Sequence, residues 1–198
     1  MDGQFTISYQ IGQALYLNIT NRCSNKCAFC IRETEKGVGY HLWLREEPTA
    51  EEVMASIEDP QQYQEIVFCG YGEPLARLDV VKKVCTELKK GGAKSIRLNT
   101  NGQASLFYGR DIVPELAGLV DTVSISLNAH NATTYVALCA PREGEEAYYS
   151  LLDFAKKCAG VIPRVVLSVV EWPEVDVEAC RDIARDLGVE FRVRKPTQ

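Results

Sequence analysis

The sequence predicts an α/β fold on a parallel sheet of six strands, and three observations carry that expectation. Six β-rich runs alternate with helical patterns along the whole chain, and strands joined by helical crossovers pair in parallel. Several helical runs carry start and stop chemistry at their ends. A length of 198 residues, 46% hydrophobic and 25% charged, suits one compact domain spanning 1–198 with a full core.

The first strand is read at 14–20, where Leu15, Leu17 and Ile19 alternate with Tyr16, Asn18 and Thr20. A helix follows at 49–58, opened by Thr49 before Ala-Glu-Glu as a capping box. "EIVFCG" at 65–70 is the second strand, and the helix at 79–90 is stopped by Gly91 and Gly92. The third strand, 95–100, sets Ile96 and Leu98 against Arg97 and Asn99, with Asn101 continuing the polar face; a helix at 105–119 comes next. In the fourth strand, 122–128, Val123, Ile125 and Leu127 alternate with Thr122, Ser124, Ser126 and Asn128. The helix at 144–159, the fifth strand at 164–170, and a helix at 176–187 closed by Gly188 precede the last strand at 190–194. That strand sets Phe191 and Val193 against Arg192 and Arg194. No repeat, low-complexity tract or linker interrupts the series.

A parallel strand covered on both faces normally reads apolar throughout, and several of these do not. If every apolar set faces the helices, the polar sets converge on a shared concave surface, which is costly to bury unless it meets a ligand or water. A half-exposed antiparallel sheet is the plainer alternative.

Charge and composition narrow the function classes. A net charge of −5 supplies no global field for nucleic acid, so a nucleic-acid role is not expected, although "FRVRKP" is locally basic. No segment approaches the length of a membrane span and the first residues lack a basic run before an apolar core. The expected location is therefore cytoplasmic. A reducing compartment keeps thiols free, so eight cysteines point to metal or redox chemistry more than to disulfides.

Only Cys23, Cys27 and Cys30 are clustered, in "ITNRCSNKCAFCIRET", just past the C-terminal end of the first strand. That edge of a parallel sheet or barrel is where loops build active sites. The C-x3-C-x2-C spacing lets three thiolates wrap one face of a compact cubane, whereas structural zinc usually takes four ligands from two pairs. No second C-x-x-C exists in the chain, so one metal position is left open to a chelating small molecule.

Cys23, Cys27, Phe29 and Cys30 reproduce C-x3-C-x-aromatic-C, and the sequence resembles the radical S-adenosylmethionine (SAM) enzymes. Further motifs follow in order at successive strand ends: "GYGEP" (Gly70 to Pro74) is similar to the family's glycine-rich segment, and "LNTNG" and "SISLN" fall on the third and fourth strands. Tyr71 departs from the "GGEP" form of many relatives. The resemblance implies a partial (β/α)6 TIM-like barrel, the minimal radical SAM core. It also implies a [4Fe–4S] cluster on Cys23, Cys27 and Cys30 whose unique iron binds the amino and carboxylate groups of SAM. Reductive cleavage of SAM would give a 5′-deoxyadenosyl radical that removes hydrogen from a substrate, with an external one-electron donor such as flavodoxin or ferredoxin.

By the same resemblance, Gly70, Gly72, Glu73, Asn99, Ser126 and Asn128 are the expected SAM contacts. Phe29 either offers apolar surface near the adenine or anchors the core. Gly70 and Gly72 let backbone approach a ligand closely, Glu73 either answers the SAM ammonium or is a surface carboxylate, and Asn101 is either a contact or turn chemistry. Cys69 is expected to be an inert buried thiol; His41, His130, Arg142, Glu171 and Trp172 are read as either substrate contacts or packing and surface groups. Arg97, Arg192 and Arg194 lie on inward faces and Lys195 follows them at the end of the last strand, so they either pair with acids such as Glu65 or Glu190 or hold an anionic substrate. "GVGYHLWL" and the short length are similar to the small radical SAM proteins associated with TatD-family nucleases. A structural metal protein and a glycyl-radical-enzyme activase are the alternatives in function.

Overall fold

The computed structural model describes residues 6–34 and 37–196; the first five residues, read above for a leader, lie outside the described segments. Seven strands form one sheet in chain order, β1 to β7. They are β1 (Ser8–Ile11), β2 (Ala14–Leu17), β3 (Glu65–Phe68), β4 (Ile96–Thr100), β5 (Thr122–Ser126), β6 (Arg164–Val170) and β7 (Glu190–Arg194). All neighbours from β2 to β7 pair in parallel, as expected, and β1 is antiparallel to β2. β1 was not expected; it is the first arm of a hairpin turning at Gly12 and Gln13, and β1 and β7 are the sheet edges.

Six helices are α1 (Ala50–Ala55), α2 (Leu78–Lys90), α3 (Ala104–Tyr108), α4 (Ala132–Cys139), α5 (Glu145–Ala159) and α6 (Val177–Asp186). The capping box forms: the Thr49 hydroxyl accepts from the Glu52 amide at 3.2 Å while the Thr49 amide donates to Glu52 at 2.7 Å. Along α2, Leu78, Val81, Val84, Cys85 and Leu88 are buried at helical spacing, and burying one such leucine or valine stabilises by about 1.5–3 kcal/mol. The single helix expected at 105–119 is broken. Gly109 adopts φ 63° and Pro114 opens a short 3-10 turn at Val113–Glu115, so the helical ladder cannot continue. α4 was not expected at all.

The two faces of the sheet differ as the alternation predicts. Leu15, Leu17, Ile66, Phe68, Ile96, Leu98, Val123, Ile125 and Leu167 belong to one apolar core with the helices. Val193 is a correction: it is 40% exposed, because β7 is an edge strand. On the opposite face, cross-strand register sets Asn99 beside Ser124, then Ser126 beside Ser168 and Ser168 beside Arg192. Strand ends from β3 to β7 line one cavity of about 260 Å³. Four strand intervals in a flat sheet would span about 19 Å at the usual spacing, so the sheet is curled like part of a barrel, with the polar face inside.

Candidate functional site

The cavity opens at the C-terminal ends of the parallel strands, under the loop that follows β2. Cys23, Cys27 and Cys30 all line it, together with Cys69 from the end of β3. A larger cavity of about 470 Å³ lies on the outer side of the same loop and shares Cys23, Glu73 and Asn101, but holds neither Cys27 nor Cys30. The three clustered thiols therefore meet only in the smaller one. The other four cysteines, Cys85, Cys139, Cys158 and Cys180, are buried.

Main-chain bonds hold the cysteine loop to α4. The amides of Lys26 and Ala28 donate to the carbonyls of Cys139 and Leu138 at 2.9 and 2.8 Å, bracketing Cys27. A side-chain network ties the loop to the turn after β4. Asn101 donates to Ser24 at 2.8 Å, Ser24 donates to Gln103 at 2.8 Å, and Gln103 donates to Asn25 and to the Tyr135 hydroxyl, each at 2.8 Å. Asn25 also donates to Tyr135 at 3.0 Å. Asn25, Gln103 and Tyr135 were not singled out from sequence: Asn25 and Gln103 lie outside the strands, where a polar residue carries no periodic signal, and Tyr135 lies on α4, which was not expected.

The thiols differ in electrostatics. Although Cys23 reaches the surface, the protein packed about its thiol and the Glu73 carboxylate push its pKa up to about 12. Cys27 is lowered, chiefly by a hydrogen bond with the Cys139 thiol. Sulfur also receives donors directly: the Asn25 amide reaches Cys23 Sγ and Arg32 Nε reaches Cys30 Sγ, both at 3.4 Å. Arg32 lies 5.9 Å over the Trp43 ring. Trp43, in the segment containing His41, thus serves the loop by packing; His41 is exposed.

Gly70 and Gly72 are required by backbone packing. A Cβ at Gly72 would lie 2.4 Å from the Thr20 carbonyl oxygen and 2.6 Å from that of Arg22; one at Gly70 would lie 2.0 Å from Asn18 Oδ1. Glu73 is 8% exposed and its carboxylate accepts from Thr100 Oγ1 and the Asn101 amide, each at 2.7 Å, and from the Leu75 amide at 3.0 Å. Burial outweighs these donors and holds its pKa above the usual carboxylate range. A surface carboxylate it is not. Asn101 makes the expected turn as well, accepting from the Gln103 amide at 3.0 Å.

Asn99, Ser126 and Asn128 line the cavity, joined by Ser124 and Ser168. Asn128 adopts φ 55°, donates weakly to Cys139 Sγ at 3.8 Å and accepts from Arg194 at 3.2 Å. Ser168 was missed as a lining residue; its one signal was being the only polar side chain between Val165 and Val170. Phe29 is partly buried against the core, meets Trp172 edge-on at 5.4 Å, and still touches the cavity. Cys69 is half-buried and lines the cavity rather than the core. His130 sits away from the site, accepting from the Asp176 amide, whereas Arg142, 78% exposed and paired with Glu143 instead of Glu145 or Glu146, lines the larger cavity and its amide donates to the Ser24 carbonyl at 2.9 Å.

Among the described residues no three of His, Cys, Asp or Glu converge where a single metal ion would sit, nor is any helix long and apolar enough to cross a membrane. No curated protein matches the chain significantly. Among solved structures, it is similar to a radical SAM methyltransferase from Sphaerobacter thermophilus at TM-score 0.55 and 16% identity, covering 95% of this chain and 68% of that one. It is also similar to anSMEcpe with bound AdoMet, at TM-score 0.57 and 15% identity over 92% of this chain and 51% of the other. HydG, a maturase of the [FeFe]-hydrogenase, gives TM-score 0.60 and 18% identity over 93% and 42%. At these identities the likeness is one of fold. The family model described as the radical SAM superfamily matches residues 17–187, from the last residue of β2 to just past α6, and the chain belongs to that superfamily of enzymes.

Proposed function

We propose that Cys23, Cys27 and Cys30 hold a [4Fe–4S] cluster and that the strand ends beside it bind SAM. The observation that carries this reading is that these three thiols, with Cys69 and none of the four buried cysteines, line one cavity with the ends of five parallel strands. The donor set fits the group. Three thiols on one short loop suit a cluster in which each iron takes one sulfur, more than a structural zinc, which usually takes four ligands from two pairs. When bound, that pair of cofactors supplies one-electron reduction of SAM and a 5′-deoxyadenosyl radical able to take hydrogen from a substrate.

The chain's own part is to orient and to exclude water. Asn99, Ser126 and Asn128 offer polar contacts for SAM, Phe29, backed by Trp172, an apolar wall, and the Gly70–Glu73 segment a tightly seated backbone. Glu73 acts through position: with its carboxylate held by Thr100, Asn101 and Leu75, it fixes the glycine segment to the β4 end. An external one-electron carrier such as flavodoxin or ferredoxin is the partner this chemistry needs, and eight free thiols suit a reducing cytoplasm. Anaerobic reconstitution tests the reading by iron and sulfide per chain and by 5′-deoxyadenosine formed. Cys27→Ala should lose both and Cys180→Ala neither. A full cluster in Cys27→Ala, or iron bound without SAM cleavage in the parent, would favour a metal that only braces the fold.

A further inference from the structure

Four cationic side chains reach the cavity: Arg97, Arg192, Arg194 and Lys195. Acidic partners account for the first alone. Arg97 pairs with Glu65 at 2.8 Å and donates to Asn99 at 3.2 Å. Glu190, the acid on β7 itself, is taken by Arg164 through two bonds of 2.9 and 2.7 Å. Glu73, the one acid among the described residues that line the cavity, already accepts from three donors. Among the described residues, Arg192, Arg194 and Lys195 have no acidic partner.

Arg194 is the least satisfied of these. One Nη donates to the neutral Asn128 carbonyl oxygen at 3.2 Å, and the buried Nε has no acceptor among the described residues. A guanidinium withdrawn from water without an anion is unfavourable, and Arg192, two residues away on the same strand face, adds like-charge repulsion. Ser124, Ser126 and Ser168 surround the site with hydroxyl groups.

We propose that Arg194, assisted by Arg192 and Lys195, is the substrate's anion subsite, and that the substrate is a small molecule carrying a carboxylate or phosphate. The planar fork of arginine suits both anions. As a substrate site it rests on the radical SAM reading; as an anion site it does not. These cations belong to β7 and the residue after it, whereas the expected SAM contacts come from the ends of β3, β4 and β5.

The test uses thermal melting of the reconstituted, SAM-loaded protein with inorganic phosphate and with succinate as probes, ionic strength being held constant with potassium chloride. The parent should show a saturable rise with at least one probe, and which probe acts separates phosphate from carboxylate. Arg194→Gln should weaken that response by about tenfold or more, the loss of a charged contact, and Arg192→Gln by several-fold. Arg194→Lys should fall between, and Arg192→Gln, at an exposed position, carries the test if Arg194→Gln does not fold. Iron content and SAM affinity should hold in every variant. Equal responses to probes and to chloride would overturn the subsite. So would loss of SAM affinity in Arg194→Gln, which would put the guanidinium on SAM, or loss of iron, which would make it a counter-charge to the thiolates. Failure of the parent to take up iron or cleave SAM would defeat the radical reading alone, since the anion titration can be repeated on the cluster-free protein.

Discussion

The cavity wall is finished at one end and open at the other. On the side of β2, β3 and β4, inward polar groups bond to one another: Asn18 donates to the Thr6 and Leu42 carbonyls at 3.0 and 2.7 Å, Glu73 is held by three donors, and Asn25, Gln103 and Tyr135 form a closed set. On the side of β5, β6 and β7, Ser126 lines the cavity with no recorded side-chain bond, Ser168 makes one long bond of 3.4 Å, and Arg194 keeps an unpaired Nε. The first side has spent its hydrogen bonds on shape. The second has kept them for something that arrives.

The sharpest way to break this contrast is to disturb the finished side where backbone meets backbone. Gly72→Ala should cost about 3 kcal/mol or more, since carbonyl oxygens at 2.4 and 2.6 Å must move. Urea denaturation reads it, and a loss under about 1 kcal/mol would mean the contact yields easily. Next in size is Gln103→Leu, which removes the donor to Asn25 Oδ1 and leaves a buried acceptor unmet. That should cost about 1–3 kcal/mol by the same measurement. The smallest effect belongs to the open side. Ser126→Ala should change stability by no more than about 0.5 kcal/mol, because no internal bond is lost, and should instead weaken SAM binding in calorimetry. A large stability loss there would erase the difference between the two sides.

Strand alternation made both sides look alike in the sequence. Asn18 and Ser126 each occupy an inward polar position on a strand end, and only the three-dimensional neighbours show that one is satisfied and the other is not. All six parallel strands were legible because each carries its own β-rich run. β1 was not, since its four residues run into the next strand with only a short turn between them. α4 escaped for a different reason. Thr133, Thr134 and Val136 are β-branched, which weakens a helix signal, and the apolar Val136 and Ala137 outside the buried face leave no clean polar stripe; the Asn131 cap, accepting from the Thr134 amide at 2.8 Å, was the available clue. Acid–base pairing was half legible: Glu65 and Glu190 were both read as acids for the inward arginines, and Glu65 does take Arg97, whereas Glu190 turns to Arg164, two residues before its register partner Val166 on β6.

The attachment of the cysteine loop to α4 has a consequence for descent. The bonds that bracket Cys27 run from the amides of residues 26 and 28 to the carbonyls of residues 138 and 139, and every amino acid but proline supplies both groups. Substitutions other than proline at Lys26 or Ala28, and any at Leu138, leave those atoms in place. The sequence of this helix is therefore free to vary while the grip on the loop stays, and shared letters are a poor guide to that contact.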